Sequence, residues 1–476
     1  MNFKLTLYFL VAVLFISCGK STEVTVVDDT SGILPSENSQ PQRDRTIVQD
    51  DFTVIKIGEG NAIQTMDPLF ATTSSEFRVH SLIYDGLTQL SDDGRIEGAI
   101  AKKWTVTRDS LRYTFTLRDN IFYHSDTRFT SGIGRQVAPK DIVMNFERMA
   151  SILVPDNAAE LFSNIQGFNA FHTEQTYIKI PANRTIKSIE GISISNDSTV
   201  VFQLAKKDSK FLEKLAHPYA SIYPGESLPA NKTPIYEPSG SGSYYLAQRK
   251  NNLFILAANE GYFQEQSVPS RIDITYGKKE ADIYQDFAKG ELDVLIEIGP
   301  STIMQVTDST GMIDPIVESK FKINQPSVYN EVNFYYNPAS QKPSLYSFLS
   351  TQKNSFLNFE KSLGEIAIKG TAQTTDTDTL KKNTAYVAYT KNPAEVFFID
   401  AIAEKLSSAG INVVMNSSYA VTDDISFSSV NFPNAQQTIV WKQPVYILSK
   451  RNVSGITITQ KPWNISFDGA KINKGN

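Results

Sequence analysis

The chain has 476 residues, enough for two or three domains with their own cores at roughly one per 150 residues, so a single small module is excluded. Charged residues are 20%, apolar residues 41% and aromatics 11%, a balance that fits a folded chain and excludes wholesale disorder, a collagen repeat or a coiled coil. With 46 basic against 51 acidic residues the net charge is −5, which leaves no basic excess for nucleic acid, and one cysteine with four histidines cannot build a disulfide framework or a zinc knuckle.

The first 17 residues carry one positive charge, Lys4, and then an apolar run from Leu5 to Ile16. That run is too short for a bilayer core of about 30 Å and has the form of a secretory signal. The stretch Phe15-Ile16-Ser17-Cys18 resembles the bacterial lipobox, which implies lipidation of Cys18, with Phe15 in place of the usual leucine. More than one acyl chain gives stable anchoring. Residues 18–50 are rich in Ser, Thr, Asp, Gln and Pro and are expected to be a flexible tether. Gly19-Lys20-Ser21 is not a phosphate loop, because the glycine required five residues earlier is Leu14.

From Thr53 the pattern becomes orderly. Residues 53–57 form an apolar strand feeding the polar loop that starts at Gly58 and passes Asp67 and Pro68. Leu111, Tyr113, Phe115 and Leu117 alternate with polar residues as a strand with one buried face. Pro139 opens a helix that carries Ile142, Val143, Phe146 and Met149 on one side. Ile192, Ile194, Val200, Phe202 and Leu204 flank a turn at 195–198 and predict a hairpin. A helix around Ile283 and Phe287 ends at Gly290, and another with Ile399, Ile402, Ala403 and Leu406 ends at Gly410, glycine being suited to the left-handed residue that closes a helix. Short strands alternate with helices, so the fold class is α/β.

The order of these segments resembles that of the family 5 extracellular solute-binding proteins, the peptide, dipeptide and nickel-binding components of ABC importers. The resemblance rests on Tyr84-Asp85-Gly86-Leu87, Asp92-Asp93-Gly94, Ala101 to Trp104 and Leu111 to Asp119. It continues through Ile121 to Asp126, Ala138 to Arg148, Gly240 to Tyr244, Lys289 to Val294, Ala403 to Ile411 and Asn452 to Ile456. It implies a two-lobed periplasmic-binding-protein-like fold of type II with an extra subdomain in the first lobe, closing on its ligand by a hinge. On that plan lobe I takes residues 51–80, 223–298 and 438–476, the extra subdomain 81–222, and a shortened lobe II 299–437.

By position the resemblance places Thr72 and Ser74, in the loop Leu69 to Glu76, against ligand. Glu297 and Gly299 follow at the crossover between lobes, and Tyr335 and Tyr336 lie on the next element, where aromatic rings supply contact area. Peptide-binding members carry a Trp and an Asp near a Pro-rich loop, the Asp pairing with the ligand ammonium. The matching stretch here, Asp423 to Pro433, has no Trp and no Asp after Asp424. A segment rich in Thr, Lys and Asp around 370–379 replaces a helical stretch of the family.

Catalytic readings are weak. Asp92-Asp93 and Asp423-Asp424 are sequence neighbours of the kind found solvated in turns, no His-x-x-x-His pair exists among His80, His124, His172 and His217, and Ser239 to Ser243 lacks the spacing of a nucleophile elbow. The expectation is a non-enzymatic, cofactor-free, monomeric solute-binding lipoprotein of the cell envelope, on its periplasmic or cell-surface face. It would be held to the membrane by its lipid and would present a peptide-like or other small polar ligand to an ABC permease, with no nucleic-acid partner. The rivals are a structural or protein-interaction lipoprotein with a degenerate pocket, and a secreted hydrolase.

Overall fold

The computed structural model describes residues 53–473 apart from 152, 230–233, 265–268, 309–311, 325–327, 337–364, 370–383, 389–392, 417–424 and 428–437. Strand β1 (Val54–Glu59) leads through a polar loop to helix α1 (Ser74–Ile83). There follow β2 (Thr88–Leu90), β3 (Ile96–Gly98), β4 (Ala101–Val106), β5 (Arg112–Leu117), α2 (Pro139–Met149), α3 (Asp156–Phe162), α4 (Phe168–Tyr177), β6 (Ile192–Asn196), β7 (Thr199–Gln203) and α5 (Phe211–Leu215). The chain continues with β8 (Tyr244–Lys250), β9 (Leu253–Ala258), β10 (Arg271–Thr275), α6 (Glu280–Ala288), β11 (Val294–Ile296), α7 (Pro300–Val306), α8 (Pro315–Lys320) and β12 (Phe321–Asn324). It goes on through β13 (Tyr329–Tyr336), β14 (Glu365–Lys369), β15 (Thr384–Ala388), α9 (Pro393–Ser408), β16 (Asn412–Asn416), β17 (Ile425–Phe427), β18 (Thr438–Pro444) and β19 (Ile447–Lys450).

Three larger sheets organise most of these elements, and β2 and β3 pair apart from them. The first has seven strands in the order β12-β19-β11-β1-β10-β9-β8. Its β1 runs parallel to both β10 and β11, and α6 carries the chain from β10 past β1 to the parallel β11. Val294 and Ile296 of β11 pack with Ile55 and Ile57 of β1 on one face, while Leu295 points to the other, where Ile283 and Phe287 of α6 and Ile303 of α7 cover it. Gly58 makes that cover possible, since a Cβ there would meet Leu295 at 2.5 Å and Leu292 at 2.9 Å.

The second sheet, β4-β5-β7-β6, belongs to the segment inserted between α1 and β8. Its core is aromatic: Phe115, Phe146, Phe162, Phe202 and Phe211 are buried and meet edge-on, with Phe146 5.1 Å from both Phe162 and Phe202. Helix α2 begins at Pro139 as its sequence predicts, and Asp141 reaches back to the Ala138 N–H at 2.9 Å. The β6/β7 hairpin and the helix ends before Gly290 and Gly410, both at positive φ, also fall where the pattern puts them.

The third sheet has six strands, β14-β18-β13-β17-β15-β16. The chain passes between the first and third sheets at two places that lie side by side, with Tyr329 opposite Pro444 and the Val445 N–H donating to the Val328 carbonyl at 3.0 Å. Sheet membership therefore does not change at 298/299, the expected lobe boundary. Helix α7 and strand β12 stay with the first sheet, because α7 covers its face and β12 pairs with β19, whereas β18, expected in lobe I, pairs with β13 and β14 in the third. The tether at 18–50, Cys18, Asp423 and Asp424 lie outside the described residues.

Candidate functional site

The carboxyl ends of the parallel strands β1 and β11 lie together, and in open α/β sheets this is where ligands bind. Glu59 ends β1 and Glu297 follows β11 in a left-handed conformation, φ 57°. The two turns touch: the Gly60 N–H donates to the Ile296 carbonyl at 3.1 Å, and a Cβ on Gly60 would lie 2.0 Å from the Glu297 carbonyl oxygen. Only glycine permits that approach.

Helix α1 brings a cation to these acids. Arg78 is 1% exposed, and its Nη2 lies 2.5 Å from Glu59 and 2.6 Å from Glu297, with Nε 3.0 Å from Glu59. Nη1 donates to the Pro462 carbonyl at 2.7 Å. Burial works against the guanidinium charge, but Glu59 and Glu297 outweigh it and raise its pKa. Glu297 is pushed upward by burial, an effect only partly offset by Arg78. Its Oε1 also accepts from the Asn61 amide at 2.7 Å and the Asn330 amide at 2.5 Å, while Glu59 accepts from Ser75 Oγ at 2.7 Å. Every oxygen of the two acids is engaged.

The loop before α1 is organised by a third buried acid. Thr73 caps the helix and Glu76 completes the capping box, and the same carboxylate accepts from the N–H groups of Gln64 at 2.9 Å and Thr72 at 2.8 Å. Asp67 accepts from the Leu69 N–H, pairs with Arg148 of α2 and accepts from the Ile235 N–H at 2.9 Å, which ties the loop to the inserted segment.

The expected site residues divide accordingly. Ser74 and Glu297 converge, because Ser74 Oγ donates to Asn330 Oδ1 at 2.6 Å and Asn330 reaches on to Glu297. Thr72 is exposed beside them. Gly299 is two residues after Glu297 in the chain but faces elsewhere: a Cβ on it would lie 2.4–2.6 Å from the carboxylate of Glu280, which caps α7 through the Thr302 N–H. Tyr335 and Tyr336 lie on β13, opposite Ser426 and Ile425, roughly 17 Å along the strand from Asn330. Sequence reasoning missed Glu59, Asn61, Ser75, Arg78 and Asn330. The available signal was the acid that ends an apolar strand, followed by a helix whose Ser74, Ser75 and Arg78 are three and four residues apart.

Of the other flagged residues, His124 is buried, accepts from the Gly240 N–H at Nδ1 and bonds the Gly242 carbonyl through Nε2 at 2.9 Å, and burial lowers its pKa to about 4. Asp92 and Asp93 are exposed on the β2/β3 turn, Asp93 pairing with Arg95. They border a separate cavity of about 390 Å³ that also touches Asp85, Tyr262 and Trp463, and that none of Glu59, Asn61, Ser75, Arg78, Glu297 and Asn330 lines. Among the described residues no His, Cys, Asp and Glu side chains are grouped to hold a metal, and no helix is long and apolar enough to cross a membrane.

Comparison with solved structures defines the class: a two-lobed binding-protein fold of type II with mixed α/β content. Haemophilus influenzae OppA in complex with the peptide RPPGFSPFR superposes with a TM-score of 0.69 at 14% identity, covering 88% of this chain and 99% of that one. Helicobacter pylori DppA in complex with the peptide STSA gives 0.67 at 15% identity, covering 87% and 98%. Residues 95–343 match the family of bacterial extracellular solute-binding proteins, family 5, and the chain belongs to that family. Among curated relatives it is 26% identical over 208 residues to Heme-binding protein A of Haemophilus influenzae, 42% of this chain and 35% of the relative. It is 25% identical over 260 residues to Di/tripeptide-binding protein 3 of Pseudomonas aeruginosa, 52% of this chain and 46% of the relative. The aligned stretches thus span about a third to a half of these relatives' length.

Proposed function

We propose that this chain captures a small polar ligand, peptide-like in its chemistry, between its first and third sheets and presents it to an ABC permease, without performing chemistry on it. The observation that carries this reading is the junction at the ends of β1 and β11, where a buried, fully bonded polar network fixes the loop holding Thr72 and Ser74 directly beside the two crossovers. A ligand that touches the exposed edge of this loop and the facing strands around Tyr335 and Tyr336 favours the closed arrangement by its contacts to both sides. Names of peptide-binding relatives in the same family support a peptide-like ligand. The lobe division follows the sheets, with residues 300–324 assigned to the first lobe and β18 to the second.

Mass spectrometry of small molecules released from gently purified protein, followed by thermal melts with each compound found and with a panel of short peptides, tests the reading. A ligand at a hundredfold excess over Kd adds about 2.7 kcal/mol of stability, seen as a rise in melting temperature. If nothing co-purifies and no compound moves the melt, an interaction scaffold on the same fold replaces the solute-binding reading. Anchoring through Cys18 in the cell envelope belongs to this proposal. Cys18→Ser should shift the expressed protein from the detergent phase to the aqueous phase, and unchanged partitioning would refute the anchor.

A further inference from the structure

We propose that Asn330 is a positioning residue, a clasp that holds the third sheet against the loop of the first through the Ser74 hydroxyl and the Glu297 carboxylate. Both bonds leave the third sheet, one for helix α1, which packs in the core of the first sheet, and one for the turn after β11. Ser74 is the first residue of α1, and Glu297 follows β11 of the seven-stranded sheet, whereas Asn330 is the second residue of β13 in the six-stranded one. Its carboxamide uses both ends at once: Oδ1 accepts from Ser74 Oγ at 2.6 Å and Nδ2 donates to Glu297 Oε1 at 2.5 Å. A primary amide offers an acceptor and a donor together, which an aspartate or an alanine does not.

The position gives the contact its leverage. Asn330 stands one residue beyond the paired crossovers at Tyr329/Pro444 and Val328/Val445, so a rotation about that pair changes the distance from Asn330 to Ser74. β13 is hydrogen-bonded to β18 on one side and β17 on the other, so Asn330 moves with the sheet. The opposing anchor is rigid, because Glu297 is fixed by Arg78 and Asn61, and Ser74 begins a helix closed by the Thr73–Glu76 capping box. A bond between one fixed body and one rotating body near their axis biases the equilibrium between open and closed arrangements. The value of that bias to ligand capture rests on the solute-binding reading; the clasp itself does not.

Small-angle X-ray scattering of the purified chain without ligand, with melting temperature measured in parallel, tests the clasp. Asn330→Ala should shift the open-to-closed ratio at least tenfold toward open and enlarge the radius of gyration, and Ser74→Ala, which loses one bond, should shift it about fivefold. The double variant should be no more open than Asn330→Ala alone, since both changes break the same bridge. Asn330→Asp, which sets a second carboxylate against Glu297, should open the chain as far as alanine does. A lowered melting temperature with an unchanged radius in a folded Asn330→Ala or Ser74→Ala protein would show a merely structural contact and overturn the proposal, and additive effects in the double variant would do the same. If Asn330→Ala does not fold, Ser74→Ala decides. No ligand is present in these measurements, so an unsuccessful ligand search leaves them readable, and an unchanged radius leaves the solute-binding reading standing.

Discussion

The core of the inserted segment, around Phe115, Phe146 and Phe202, and the junction around Arg78 are equally dry, but one is made of rings and the other of three charges. Ring packing is held by buried area and edge-on contact, which depend on volume more than on identity. The junction is held by directional bonds, and its desolvation cost is offset only while each partner is present. The inserted segment can therefore tolerate exchange among large apolar residues, whereas the junction fixes the residue types at Glu59, Arg78 and Glu297.

The largest effect should come from removing the shared cation. Arg78→Met leaves two buried carboxylates without their partner and should lower stability by about 3–5 kcal/mol, measured by urea denaturation at pH 7. A loss below about 1 kcal/mol would show that the junction is not a stabilising unit.

The second effect concerns a buried neutral group where the inserted segment meets the turn before β8. His124, from the inserted segment, bonds Gly240 and Gly242 before β8, and its pKa falls from 6.5 to about 4 because burial disfavours the charged ring. The folded state thus binds fewer protons than the unfolded state in that interval, so stability falls as pH drops from about 6.5 to about 4, by about 3 kcal/mol from this group. His124→Gln should flatten that part of the stability profile. An unchanged slope would mean that the ring is not the group responsible.

The smallest effect separates the regions most directly. Phe146→Leu keeps an apolar side chain in the ring cluster and should cost about 1.5 kcal/mol. Arg78→Lys keeps the charge but loses the fork that reaches Glu59 and Glu297 together, and it should cost clearly more. Equal costs in parallel melts would erase the distinction between an area-held core and a bond-held junction.

By itself the sequence determined what depends on near neighbours. Pro139 and its apolar stripe set α2, the turn at 195–198 set the β6/β7 hairpin, Gly290 and Gly410 set helix ends, and the ordered run of short motifs pointed to the family. These are signals of period, cap and turn that act over a few residues. Tertiary structure decided the rest. Arg78 meets acids 19 and 219 positions away, Ser74 meets Asn330 across 256, and β12 and β18 each joined the sheet opposite to the one expected. No local pattern encodes those pairings, because a buried charge or a strand edge specifies only that a partner is needed, and which partner arrives is fixed by how the sheets pack.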